Sequence, residues 1–244
     1  MPRYFIEVSY KGTNYSGFQI QYNANSIQAE IVKALEIFYK QKFELTGSSR
    51  TDAGVHAFQN FFHFDTELDL SDDSYNLNAI LPDDIVINRI FKVDEKAHCR
   101  FDAISREYHY YIYRQKNPFL LGRAYYYPYT LDIELLKKAA VEICSQTDFT
   151  SFSKRNTQVK SFLCKIQASD WVQEADCLIY KIKANRFLRG MVKGLVGTML
   201  QIGSNKITLE DFNGIIKAKD CTKADFSVPA DGLFLYKVGF QKFN

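Results

Sequence analysis

Cysteine is sparse and unpaired. The five residues Cys99, Cys144, Cys164, Cys177 and Cys221 are odd in number, scattered, and form no Cys-x-x-Cys pair. Neither a disulfide framework nor a zinc site is expected, and a reducing, cytoplasmic setting fits best. His56 and His63 lie seven apart across an expected strand, on opposite faces, which is poor spacing for a metal. No apolar run is long enough to span a bilayer, so no membrane partner is expected. The strand pattern begins so near the N-terminus that no signal peptide is expected either. Strong charge is also missing, since a net +3 permits a nucleic-acid partner without requiring one.

What is present is an ordinary globular composition with a surplus of rings. The 244 residues allow one or two compact domains, with 46% hydrophobic and 24% charged residues. Aromatics reach 15%, including 16 Tyr and 20 Phe, which serve packing and also suit stacking on unpaired bases.

Period-two alternation marks a strand at Tyr4 to Tyr10. A polar loop to Asn25 follows, then a helix with Asn25 as N-cap, Gln28 three residues on, and Ile27, Ile31, Ala34, Leu35 and Phe38 inward. Strands are expected at Lys42 to Thr46, Phe58 to Thr66 and Ile85 to Val93, with a short helix from Asp72 to Leu81. This is a β-α-β-β-α-β unit of the ferredoxin-like kind. The second half repeats the scheme. Strands are expected at Glu107 to Arg114, Phe162 to Val172, Leu178 to Ala184 and Leu233 to Phe240, and helices at Asp132 to Cys144, Phe187 to Ile202 and Leu209 to Lys217. The expected class is α+β, with halves 1–103 and 104–244 joined through a mostly antiparallel central sheet and a cleft between them. No Ser/Gly-rich linker separates the halves, so the boundary near Asp102 to Arg106 is expected to be rigid.

Between two of the expected strands lies Ser48-Ser49-Arg50-Thr51-Asp52-Ala53-Gly54-Val55-His56-Ala57. The plain reading is a turn, with Gly54 at positive φ and the Asp52 carboxylate accepting local N–H bonds. The same loop presents an acid and a strong base two residues apart, with no metal-ligand cluster nearby to account for the acid. Farther on, Tyr108, Tyr110 and Ile112 share one strand face, for which core packing is the ordinary role. Within the expected helix from Phe187, the residues Arg186, Arg189 and Lys193 fall on one side, flanked by Gly190, Gly194 and Gly197. Glycine costs a helix roughly 1 kcal/mol relative to alanine, so something must approach closely, either another backbone, the commoner case, or the substrate.

Several of these strings resemble the tRNA pseudouridine synthase A family, the TruA-type enzymes. The loop resembles that family's Gly-Arg-Thr-Asp-Ala-Gly-Val-His-Ala signature, with Ser49 in place of Gly. Arg106-Glu107-Tyr108-His109-Tyr110 resembles its Arg-x-Tyr-x-Tyr segment. Ala184 to Lys193 resembles its Ala-x-x-Phe-x-x-x-Met-Val-Arg helix, with Lys193 for Arg. Gly17-Phe18-Gln19-Ile20-Gln21, Leu81 to Ile85, Arg100-Phe101, Asp148 to Phe152 and Gly232 to Leu235 resemble further landmarks in order. The resemblance implies the pseudouridine-synthase fold and isomerisation of uridine at tRNA positions 38–40, in the anticodon stem–loop. It implies Asp52 as the catalytic residue, Tyr108 against the target base, Arg50 filling the gap left by a flipped base, and Lys193 pairing with Asp52. Arg189, on the same basic stripe, is placed with the substrate. A homodimer binding one tRNA across both subunits is implied as well.

The chemistry is coherent with those residue types. Pseudouridine forms when the bond from C1′ to N1 breaks and one to C5 replaces it. An ionised carboxylate beside the ribose can attack C1′, or take a proton from C2′ and release the base through a glycal. A neighbouring cation favours the ionised acid. No metal, nucleotide or redox cofactor is needed. Arg100, Arg106, Lys154, Arg155 and Lys160 are candidates for phosphate contacts. Two other readings compete. One is a non-catalytic RNA-binding module, against which stands the absence of an RNP-type aromatic string. The other is a glycosidase, which usually needs a second carboxylate near Asp52 that the sequence does not suggest.

Overall fold

The computed structural model describes residues 1–70, 73–155 and 159–241. Among them the chain runs β1 (Arg3–Tyr10), α1 (Ile27–Tyr39), β2 (Thr46–Gly47), β3 (His56–Asp65), α2 (Ser74–Asn78) and β4 (Ile85–Val93). It continues with β5 (Ala103–Tyr113), β6 (Tyr125–Tyr126), α3 (Ile133–Cys144), β7 (Ile166–Glu174), β8 (Cys177–Ala184), α4 (Met191–Gly203), α5 (Leu209–Ala218) and β9 (Leu233–Phe240). The class is α+β, with mixed but mostly antiparallel pairing. Two compact units result, Met1–Ile104 with Phe234–Asn244, and Ser105–Leu233.

In the first unit β1 lies between β3 and β4, antiparallel to both. β2 adds antiparallel to β3, and β9 runs parallel to β3 through His56 opposite Phe234. Register against β1 passes from Val8 opposite Asn60 to Tyr10 opposite Ala57, so two residues face three and β3 bulges. An aromatic layer centres on Phe5, whose ring lies 5.8–6.4 Å from those of Phe61, His63, Phe91 and Phe240. Helix α1 buries Ile27, Ile31, Ala34 and Leu35 of its expected stripe, while Phe38 is only half-buried.

Three expectations in this unit are corrected. Ser26, not Asn25, caps α1, its Oγ accepting the Ala29 N–H at 3.3 Å. Gln28 reaches away from the cap, accepting from the Ile20 N–H at 3.1 Å and donating to the Leu45 carbonyl at 2.8 Å. That second bond occupies a carbonyl of the segment expected to be a strand from Lys42. Only Thr46 and Gly47 pair with β3, although Phe43 and Leu45 are buried. Helix α2 is shorter than expected, and Asp72, the expected first residue, lies outside the described ones.

In the second unit β8 lies between β5 and β7, antiparallel to both, and β6 adds parallel to β5. Asp132 caps α3, its carboxylate accepting the Leu135 N–H at 3.0 Å. Thr208 and Asp211 form a reciprocal capping box on α5.

His63 is buried at 6% exposure beside Cys99, with Nδ1 and Sγ 3.1 Å apart. The Cys99 thiol donates to the Thr46 carbonyl at 3.2 Å, so His63 donates from Nδ1 to the sulfur. Burial, reinforced by His98 and Arg3, pushes the His63 imidazole down to about 4. The unfolded chain therefore takes up this proton first, near pH 6.5, and the stabilising effect of a neutral His63 is lost as pH falls from about 6.5 toward 4. The loss is on the order of 2–3 kcal/mol at full extent. Urea unfolding at pH 7 and pH 4 is expected to show a smaller acid penalty for His63→Asn than for the unaltered protein; equal penalties would exclude His63 as a source.

Candidate active site

Asp52 is half-buried on the loop that joins β2 to β3. Its backbone is held from two sides. From within, Asn60, fully buried on β3, donates to the Ser49 carbonyl at 2.8 Å and to the Tyr10 hydroxyl at 3.2 Å. The Tyr10 hydroxyl also lies 2.8 Å from Thr51 Oγ1. The Ser48 N–H donates to the Phe61 carbonyl at 2.8 Å. The residues flanking Asp52 are thereby tied to β1 and β3 rather than left to a flexible loop.

From the other side comes the loop from Lys11 to Gly17. Phe18 N–H donates to the Thr51 carbonyl at 3.1 Å, and Gly54 N–H donates to the Tyr15 carbonyl at 3.3 Å. Gly54 takes φ +77°, and the Val55 N–H closes the turn on the Asp52 carbonyl at 3.2 Å. Approach this close excludes side chains: a Cβ on Gly12 would sit 2.0 Å from the Val55 carbonyl oxygen. Gly12 N–H also donates to His56 Nδ1 at 3.0 Å, which makes His56 a structural acceptor. Phe18 stacks on Phe62 at 4.5 Å, so the residue standing for the family's Trp serves as core.

Asp84 anchors this outer loop. One carboxylate oxygen accepts from the Tyr15 hydroxyl and the other from Asn14 Nδ2 at 3.0 Å, while its carbonyl accepts the Lys11 N–H at 2.9 Å. Burial, with the Asp84 carboxylate as partner, raises the Tyr15 phenol well above its ordinary range. Arg50 is exposed on the same loop as Asp52.

The remaining expected residues belong to the second unit. Tyr108 is half-buried on β5, opposite Ile182 of β8, and meets Phe187 edge-on at 5.0 Å. Tyr110, its neighbour on the same face, is fully buried and donates to the Pro229 carbonyl at 2.8 Å. That hydroxyl is committed to the core.

The basic stripe is corrected. α4 begins at Met191, and Gly190 caps it at φ +75°. Phe187 to Arg189 therefore precede the helix, and of Arg186, Arg189 and Lys193 only Lys193 is helical. The reason is a contact with a distant segment: Lys154 lies across Gly190, where a Cβ would meet its Cγ at 2.9 Å, and the Lys154 N–H donates to the Arg189 carbonyl at 3.0 Å. Lys154 and exposed Arg189 are thus neighbours, with Lys193 half-buried one turn into the helix. Gly194 and Gly197 accept the ring of Phe226 and the carbonyl of Asp225, at 2.8 and 2.2 Å from their would-be Cβ atoms. What approaches α4 there is the chain itself.

Sequence reasoning missed Tyr10, Asn60, Tyr15 and Asp84, which hold the loop. One signal was available, since Asn60 interrupts an aromatic run between Phe58 and Phe61.

This combination is an α+β chain carrying a carboxylate on a turn locked to its sheet. The family model described as tRNA pseudouridine synthase matches residues 6–102 and 139–241. Over 245 residues the chain is 43% identical to the tRNA pseudouridine synthase A of Parabacteroides distasonis, covering 99% of this chain and 97% of that protein. It is 43% identical to that of Bacteroides fragilis over 246 residues, covering 99% and 98%. Identity to that of Staphylococcus aureus is 36% over 240 residues, covering 97% and 90%. The chain belongs to the tRNA pseudouridine synthase family.

Because Asp84 holds the outer loop that in turn holds the Asp52 turn, its replacement tests the clamp. Asp84→Ala is expected to lower unfolding stability by about 2 kcal/mol, as loss of charge-assisted hydrogen bonds does. It is also expected to lower kcat about 10-fold or more by misplacing the turn, with KM little changed. Urea unfolding and steady-state kinetics on unmodified tRNA measure both; an unchanged kcat in a destabilised variant would show that the clamp does not reach Asp52.

Proposed function

We propose that the chain isomerises uridine to pseudouridine at positions 38–40 in the anticodon stem–loop of tRNA, with Asp52 carrying the chemistry. Uridine isomerisation in tRNA follows from family membership at 43% identity over nearly the whole chain. The observation that supports the assignment of Asp52 is its place on a turn fixed through Ser49, Thr51, Gly54 and Val55 to β1, β3 and the loop to Gly17. A nucleophile or base held this way needs no reorganisation when substrate arrives, which is what preorganised catalysis requires.

In the proposed sequence the target uridine leaves its stack and Arg50 fills the space behind it. The Asp52 carboxylate attacks C1′, or removes the C2′ proton, as the bond to N1 breaks. Tyr108 lies against the freed uracil, which turns so that C5 faces C1′. The bond from C5 to C1′ forms as the Asp52 ester bond breaks or, on the glycal route, as Asp52 returns its proton to C2′; the C5 proton then leaves to Tyr108 or water and N1 takes one up, restoring the conjugated ring. Lys193 pairs with the carboxylate and Arg189 takes a phosphate, a role that the adjacent Lys154 backs. Lysine supplies charge without the fork of arginine, so Lys193 places the acid less strictly than the family's Arg.

The wider architecture belongs to the same reading. The first unit's element order β1-α1-β2-β3-α2-β4, with β1 between β3 and β4, supports a ferredoxin-like half at 1–103. The half at 104–244 carries Tyr108 and α4. We assign the protein to the cytoplasm as a homodimer; among the described residues no helix is long and apolar enough to cross a membrane.

Tritium release from unmodified tRNA labelled at uridine C5 tests the reaction. The unaltered protein is expected to release it, and Asp52→Asn to release none while staying folded and bound to tRNA. Binding without release by the unaltered protein would leave an RNA-binding module; release by Asp52→Asn would move the catalytic role elsewhere.

A further inference from the structure

The end of β3 that follows the Asp52 loop carries rings the core does not enclose. Phe58 is 50% exposed and Tyr236 41%. Phe58 stacks on Phe234 with centroids 5.0 Å apart and planes 20° from parallel, and it meets Tyr236 edge-on at 5.6 Å. Phe234 in turn lies 4.5 Å from the fully buried His56 ring. The rings thus step outward from the interior, with Phe58 outermost. Their backbone is fixed, because Ala57 pairs with Leu235 and the Val238 N–H donates to the Gln59 side chain at 3.1 Å.

We propose that Phe58, backed by Phe234 and Tyr236, is a stacking platform for an unpaired nucleobase of the RNA, flanking the uridine that reacts. The proposal rests on the isomerase reading of the Asp52 loop. Three observations favour a base over other occupants. The platform is continuous with that loop: Phe58 is six residues beyond Asp52, within about 20 Å along the chain at its longest and less across the turn at Gly54. A flat ring supported from behind matches the π-face that every base presents, whatever its identity. The two exposed rings offer on the order of 200 Å² together, enough for one base and far below the roughly 800 Å² per partner of a specific protein interface.

Trp171, the single tryptophan, is fully buried, which leaves the surface clear for a reporter. Phe58→Trp placed in the Asp52→Asn protein is expected to lose emission saturably as an unmodified anticodon stem–loop RNA is added, whereas Asp52→Asn alone shows no such loss. Phe58→Ala is expected to weaken binding of the same RNA about 5-fold or more, with Tm unchanged and Phe58→Tyr restoring affinity. Unchanged emission at saturating RNA, or an unchanged Kd in Phe58→Ala, overturns the proposal. So does a shift of Phe58→Ala to a smaller species in size-exclusion chromatography, which would make the patch an interface between copies. Loss of emission without tritium release by the unaltered protein would keep the platform and reject the isomerase; release with unchanged emission would do the reverse.

Discussion

The fixed point of the first unit is a buried carboxamide. Asn60 has no access to solvent, and its amide nitrogen serves both the Ser49 carbonyl and the Tyr10 hydroxyl, while its oxygen accepts the Phe61 N–H at 2.9 Å. In a low-dielectric interior such a network is all or nothing. Removing one member leaves the others unsatisfied, at about 1–3 kcal/mol each, so the groups hold one geometry rather than several. Asp52 inherits that geometry from its neighbours on either side. The outer loop completes the grip by bringing backbone against backbone, at Gly12 and Gly17, where no side chain fits.

The second unit solves a similar problem by other means. Helix α4 carries glycines where residues 225 and 226 cross it, and the crossing is bonded: Thr198 Oγ1 accepts the Asp225 N–H at 3.0 Å, and Gln201 Nε2 donates to the Asp225 carboxylate at 3.0 Å. Trp171 closes the other side, its indole N–H pointing at Met199 Sδ from 3.5 Å. A helix so clasped holds its first turn, and with it Lys193, in a set orientation. The helical cost of three glycines in the stretch is offset by that close packing.

Much of this could be read from residue order, and the failures share a cause. The strands expected at Ile85 to Val93 and Leu233 to Phe240 match β4 and β9 to the residue, and the helical stripe of α1 pointed the right face inward, because local periodicity reports local burial. The expected strand from Lys42 has the pattern of one, with Phe43 and Leu45 buried, yet its Leu45 carbonyl is taken by Gln28, seventeen residues away. The helix expected from Phe187 starts at Met191 because Gly190 turns left-handed under Lys154, a contact between distant segments. The loop around Asp52 stood out in the sequence through its acid, base and glycine. Its supports did not, since Tyr10, Asn60 and Asp84 look like ordinary strand and loop residues until the fold brings them to the turn.

The bulge in β3 has a bearing on how this chain tolerates change. Three residues of β3 stand against two of β1 there, so the strand's inside-outside alternation shifts phase between Ala57 and Asn60. Asn60 faces inward to its network on one side of the shift, and Phe58 reaches solvent on the other. Losing a residue there would bring the two stretches back into step, turning either the ring inward or the carboxamide outward. Many side chains can be exchanged along this stretch without that penalty. Its length cannot, and a single-codon deletion would damage the site more than most substitutions at the same positions.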